Sequence, residues 1–267
     1  MVSRTLDLVD AETLYKKYPE LPHDYMLGCP TCGKNKGLDV DGTIFFDGEE
    51  WECNCRDQLQ RHKQYLNAGI GEIYQRLTLD DYVGDQAAKA EVVNYLNHQK
   101  DLVRNGVGII FTGTYGTGKT LLLTCLLKRL VWEGYSCYFT TFVNLVNMIS
   151  GSWDSKEDKA EYRRKVAAAK VLVIDDVGKE FMKNGIKSPF HAAIFDSIIR
   201  ERVQNAQPTF ITMNLNAEQF AATYGESVIS LVHEKSIVRE VTGVSYRDTA
   251  RKKTISDALA GVRRPIF

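Results

Sequence analysis

Gly113-Thr114-Tyr115-Gly116-Thr117-Gly118-Lys119-Thr120 is the stretch on which the reading of this chain turns. It satisfies G-x-x-x-x-G-K-[ST], the phosphate-binding loop of nucleoside triphosphatases. Its surroundings suit the role. Val107 to Thr112 is an apolar run of strand length, and Leu121 to Val131 is apolar on nearly every face, as a buried helix is. Gly113, Gly116 and Gly118 let the backbone curl into a nest of N–H groups aimed at phosphate oxygens. The helix behind the loop adds the positive end of its dipole. Lys119 supplies a charge for the β- and γ-phosphates, and Thr120 a hydroxyl for Mg2+. All eight residues, Thr114, Tyr115 and Thr117 included, are the expected ATP contacts.

Val171-Leu172-Val173-Ile174-Asp175-Asp176 is the second chemical motif. Four apolar residues suit a parallel strand buried on both faces. The acidic pair falls at its carboxyl end, where open α/β sheets place ligands. Asp175 is expected to hold Mg2+ through water, and Asp176 to orient and polarise the attacking water. Pro208 to Asn214 is another buried strand with a polar end. Asn214 either meets the γ-phosphate or attacking water, or caps the helix that starts near Ala217. Further strands are expected at Ser136–Thr141 and Ser236–Val241, and helices at about Asp85–Asp101, from Phe142, and at Ser188–Val203.

Upstream lie Cys29-Pro30-Thr31-Cys32 and Cys53-Asn54-Cys55. The alternating stretch between them has turn signals at Asp41-Gly42 and Asp47-Gly48, which read as small β-hairpins. Two thiolate pairs on hairpins describe a tetrahedral Zn2+ ribbon with Cys29, Cys32, Cys53 and Cys55 as ligands. C-x-C is one residue shorter than the usual knuckle, and His62 could replace one thiolate. Four free or buried cysteines are the alternative.

Thirty-four basic and thirty-four acidic residues give a net charge of zero, which excludes nucleic-acid binding by overall attraction. Local patches remain. Lys159, Arg163, Arg164, Lys165 and Lys170 form a basic stretch that reads either as a contact for single-stranded DNA or as a solvated helix. The segment from Arg247 to Phe267 is basic and reads as a mobile arm. The N-terminal residues lack the apolar core of a signal peptide, and no apolar run has the length of a membrane span. The chain is therefore expected in the cytoplasm, with metal or free thiols rather than disulfides. The domains expected are a partner-binding module over 1–68, an α/β ATPase domain over 69–250 and a basic tail over 251–267.

Together these motifs resemble the AAA+ replicative helicase loaders of bacteria and phages, the DnaC, DnaI and IstB-like ATPases. The resemblance runs over about residues 68 to 250. It is carried by Gly113–Thr120, Ile174–Glu180, Ile198–Arg202, Pro208–Leu215 and Gly243–Arg247, with Ala68–Ile70 and Leu79–Tyr82 at the entry to the domain. The cysteine-rich module resembles that of the DnaI-like branch, where it engages the helicase. The resemblance implies a five-stranded parallel sheet of order 5-1-4-3-2 without a lid domain. It also implies an ATP-dependent spiral assembly and delivery of a hexameric helicase to single-stranded DNA. Asn214 then matches sensor 1, and Arg247 the sensor 2 or tail arginine. One departure stands out: Ser230 occupies the place of the family's arginine finger. Either Arg202, Lys235 or Arg239 substitutes for it, or hydrolysis is slow and depends on a partner.

Overall fold

The computed structural model describes residues 43–46, 49–52, 55–151, 160, 163–179 and 189–260. The chain divides into two units, with the break between Asn67 and Ala68. In the first unit β1 (Thr43–Phe46) pairs antiparallel with β2 (Glu49–Glu52), Phe46 opposite Glu49. The two residues left between them, Asp47-Gly48, are a strong hairpin signal. Helix α1 spans Cys55–Asn67. Cys29, Cys32 and Cys53 lie outside the described residues, as does the side chain of Cys55, so the zinc assignment lies outside them too.

The second unit is built on five parallel strands. They are β3 (Gly108–Thr112), β4 (Cys137–Thr141), β5 (Val171–Val177), β6 (Thr209–Met213) and β7 (Ser236–Glu240). Their order is β4-β5-β6-β3-β7, which is 5-1-4-3-2 when counted from the strand before the phosphate loop. Inner strands β3, β5 and β6 are buried along nearly their whole length, as both-face burial requires. Edge strands β4 and β7 are only partly covered. The backbone entering the unit reaches β4, where the Phe139 N–H donates to the Ala68 carbonyl at 2.7 Å.

Helices cover both faces. Helices α3 (Gln86–Asn97) and α5 (Lys119–Trp132) pack together on one, where Tyr95 meets Phe210 edge to face at 5.2 Å. On the other lie α6 (Phe142–Gly151), α7 (Pro189–Gln204), α8 (Ala217–Tyr224) and α9 (Glu226–Glu234). Phe195 of α7 is its aromatic hub, 5.5 Å from Phe142 and 4.6 Å from Tyr224. Such ring pairs add about 0.5–1.5 kcal/mol each beyond burial.

Three expectations need correction. The helix expected over 85–101 is two, α3 and α4 (Gln99–Arg104), divided at His98. The imidazole Nδ1 lies 2.9 Å from the Asn94 carbonyl, and the His98 N–H turns to Tyr95 and Asn94. With φ −115° and ψ 16°, His98 leaves the helical range and so separates the two helices. Residues 68–82, whose sequence has no clear periodicity and so predicts a linker, hold α2 (Glu72–Gln75) and a capped 3-10 turn at Leu79–Asp81, and lie along α5. Lys128 of α5 donates its buried amine to the carbonyls of Gln75 and Leu77. The arm expected from Arg247 begins with a helix, α10 (Arg247–Leu259). In the basic stretch, Lys170 donates to Ala206 at 2.7 Å and Lys165 sits 5.8 Å over the Tyr138 ring, while Arg164 is exposed. Two of its cations therefore turn to the fold.

Candidate nucleotide site

The phosphate loop connects β3 to α5, and its glycines stand where side chains have no room. Gly116 has φ 80° and faces Ser245, and Gly118 has φ 85° and faces the Tyr82 ring. Alanine at either would meet both left-handed strain and a neighbour. The loop is thus clasped from two sides, by the segment before β3 and by the one after β7. The Tyr246 N–H donates to the Gly116 carbonyl at 2.8 Å. Asp85, the N-cap of α3, accepts both the N–H and the hydroxyl of Thr242 at 3.1 Å. Those bonds hold the Asp85 carboxyl below its usual range.

Lys119 is 7 % exposed and its amine donates to the carbonyls of Gly113 and Thr114, at 2.8 and 2.7 Å. It also donates to Asn214 Oδ1 at 2.9 Å, across 95 positions of sequence. Asn214 therefore belongs to the site. The capping alternative falls instead on Asn216, which forms a reciprocal capping box with Gln219. Burial pushes the Lys119 pKa down to about 8 against the pull of Asp176 and Asp175, with Lys179 and Arg247 adding to the depression.

The acidic pair sits on a kink. Between Ile174 and Val177 strand β5 advances three residues while β6 advances two, from Ile211 to Met213. One extra residue in a strand is a bulge, which re-aims side chains at a site. Asp175 points into the core, 5 % exposed, and accepts from the Thr120 hydroxyl at 3.0 and 3.2 Å. Asp176 adopts φ 60°, an uncommon backbone for a non-glycine residue and a form of stored strain. Thr212 of β6 bridges the two: its hydroxyl accepts from the Asp176 N–H at 2.9 Å and donates to Asp175. Burial raises the Asp175 pKa, opposed by the Thr212 and Thr120 hydroxyls.

A buried carboxylate with a hydroxyl at 3.0 Å offers hard oxygen donors and negative charge where a divalent cation would sit. The residues present therefore fit Mg2+, and the loop with Lys119 fits a triphosphate. Among the described residues no group of three or more His, Cys, Asp and Glu is arranged to hold a metal ion. Arg247, the first residue of α10, lies near enough for its charge to act on Lys119 and on Tyr74.

Sequence reasoning missed Tyr74 and Thr212. Burial raises the Tyr74 pKa, as do the charges of Asp175 and Asp176, and the Thr120 hydroxyl opposes them. The segment before β3 thus brings a phenol to the metal end of the site. The only signal for Thr212 was a hydroxyl within an apolar strand. Of the three finger substitutes, Arg202 is excluded. It is 2 % exposed and donates to the Thr209 hydroxyl and to the carbonyls of Val166, Ala169, Lys170 and Pro208. Lys235 lies 3.8 Å from Glu234, and Arg239 3.4 Å from Glu91.

A parallel sheet in this order, with a phosphate loop after β3 and polar groups ending β5 and β6, defines an AAA+ P-loop nucleotide-binding fold. The chain belongs to the family of IstB-like ATP binding proteins, which it matches over residues 50–254. It is 24% identical over 165 residues to the replicative helicase loader DnaC of Buchnera aphidicola (strain Bp), covering 61% of this chain and 65% of that one. The match thus spans just under two thirds of the relative. A crystal structure of the DnaC helicase loader superposes with a TM-score of 0.56 at 23% identity, over 64% of this chain and all of the other. A DnaI crystal structure gives 0.53 at 19%, over 64% of this chain and 94% of the other.

Proposed function

We propose that this chain is an ATPase that loads a hexameric replicative DNA helicase onto single-stranded DNA. The observation that carries the reading is the convergence of Lys119, Thr120, Asp175 and Asn214 from three separate segments. Similarity to proteins named as replicative helicase loaders gives that site its context. The loop N–H groups and Lys119 would bind the β- and γ-phosphates. Thr120 and Asp175 would hold Mg2+, which when bound neutralises charge on the phosphates. Asp176 would accept a proton from the attacking water, and Asn214 would keep Lys119 and that water in place. Arg247 would report the γ-phosphate to α10.

The cysteine-rich module would hold Zn2+ and choose the partner, and copies of the chain would assemble in an ATP-dependent spiral. Hydrolysis would be slow or partner-stimulated, since Ser230 stands at the finger position. The test is retention of the full chain by a replicative helicase, and helicase loading by Lys119→Ala and Asp176→Ala. Loss of loading in both variants is expected. Intact loading would mean that turnover is irrelevant and that the protein is an adaptor. The family description favours a second reading, an IstB-type transposition helper. A transposase that retains the chain while the helicase does not would select it.

A further inference from the structure

Lys179 stands at the site without a part in that assignment. Its amine lies 2.6 Å from Asp176 Oδ2, and both side chains are about one-third exposed. It also lies 5.5 Å from the ring centroid of Tyr115, the third residue of the phosphate loop. Its charge is felt at Lys119 and at Asp175. The ammonium therefore hangs over the mouth of the site, between the loop and the acidic pair.

The backbone holds it there. Lys179 follows the bulge that sets Asp176 at φ 60°. Gly178, at φ 96°, packs against Leu215, the residue after Asn214. The turn that carries Lys179 is thus fixed to both polar strand ends. The ion pair itself is weakly held. A partly exposed pair gains little, and a group of higher negative charge can take the cation. While paired, Asp176 presents its Oδ2 to the ammonium and not to a water.

We infer that Lys179 passes from the Asp176 carboxylate to the γ-phosphate of a bound nucleoside triphosphate, so that ATP itself frees the carboxylate that must act on water. A diphosphate has no γ-phosphate and leaves the pair intact. Lys179 thereby distinguishes ATP from ADP and supplies within the chain a cation that Ser230 does not supply. The inference rests on the ATPase reading above.

The test measures binding of ADP and of a non-hydrolysable ATP analogue to the full chain, as wild type, Lys179→Ala and Lys179→Arg. Lys179→Ala is expected to weaken the analogue about tenfold or more, the worth of one charged hydrogen bond. Its ADP affinity should stay within about twofold of wild type, because the lost contact is to the γ-phosphate alone. Lys179→Arg should keep most of the preference. An unchanged ATP-to-ADP ratio in Lys179→Ala, whether both affinities hold or both fall together, would overturn the inference. Wild type that binds neither nucleotide would overturn the ATPase reading first, and this inference with it.

Discussion

Lys119 and Asp175 are buried charges of opposite sign, and each bears a measurable cost. Burial pushes Lys119 down to about 8, while a bound triphosphate favours the ammonium. Binding above that pH therefore takes up a proton. Affinity for a non-hydrolysable ATP analogue should be flat below about pH 8 and fall by up to about tenfold per pH unit above it. Calorimetric titration at several pH values checks this, and Lys119→Ala should abolish the binding. Asp175 has its pKa raised by burial, so its ionised form is a burden that is full above that raised value and fades as pH falls from it towards the ordinary aspartate value. Asp175→Asn keeps one oxygen, Oδ1, to accept from both the Thr120 and Thr212 hydroxyls and removes the charge. It should melt about 2–4 °C higher at neutral pH, an advantage that shrinks on acidification, and lose Mg2+-dependent hydrolysis. Thermal melts at two pH values, with a phosphate-release assay, test both halves.

Among the elements, the β3–loop–α5 unit was legible because three independent signals coincide there: an apolar run, the glycine spacing and an apolar helix. The β5 bulge was not, because it exists only in the pairing with β6, and no property of Val171–Val177 taken alone contains it. Thr212 was hidden for the same reason. Helix α10 was missed because it has no buried face to print an apolar stripe. It is placed by its ends and its charges, through Tyr246 on Gly116 and Lys253 3.2 Å from Asp81. Arg202 was misread because sequence does not say whether an arginine faces out or satisfies carbonyls. Five hydrogen bonds, four of them buried, make it a tie among α7, β6 and the turn before β5. Arg202→Met should cost about 3 kcal/mol of stability, since several carbonyls lose their donor. Denaturant unfolding measures this. Stability equal to wild type would show that the ties contribute nothing.

For the whole molecule, the ATPase motifs carried the resemblance to the family and that resemblance implied the sheet order, while the cysteine-rich module calls for direct chemistry. Metal analysis of the purified full chain should give about one zinc, lost in Cys29→Ser and on chelation with unfolding of residues 27 to 56. No zinc, and no spectral change with chelator, would remove the ribbon. Cys125 and Cys137 stand apart from that question: burial pushes their thiols up to about 11 and about 12, away from metal binding or redox chemistry at neutral pH. The central claim is that nucleotide bound at Lys119 governs the hold on a replicative helicase. Its most direct test is co-purification of the full chain with that hexameric helicase, with and without a non-hydrolysable ATP analogue, for wild type and Lys119→Ala. Retention that requires the analogue and is lost in Lys119→Ala is the expected result; no retention, or equal retention of the two proteins, would contradict it.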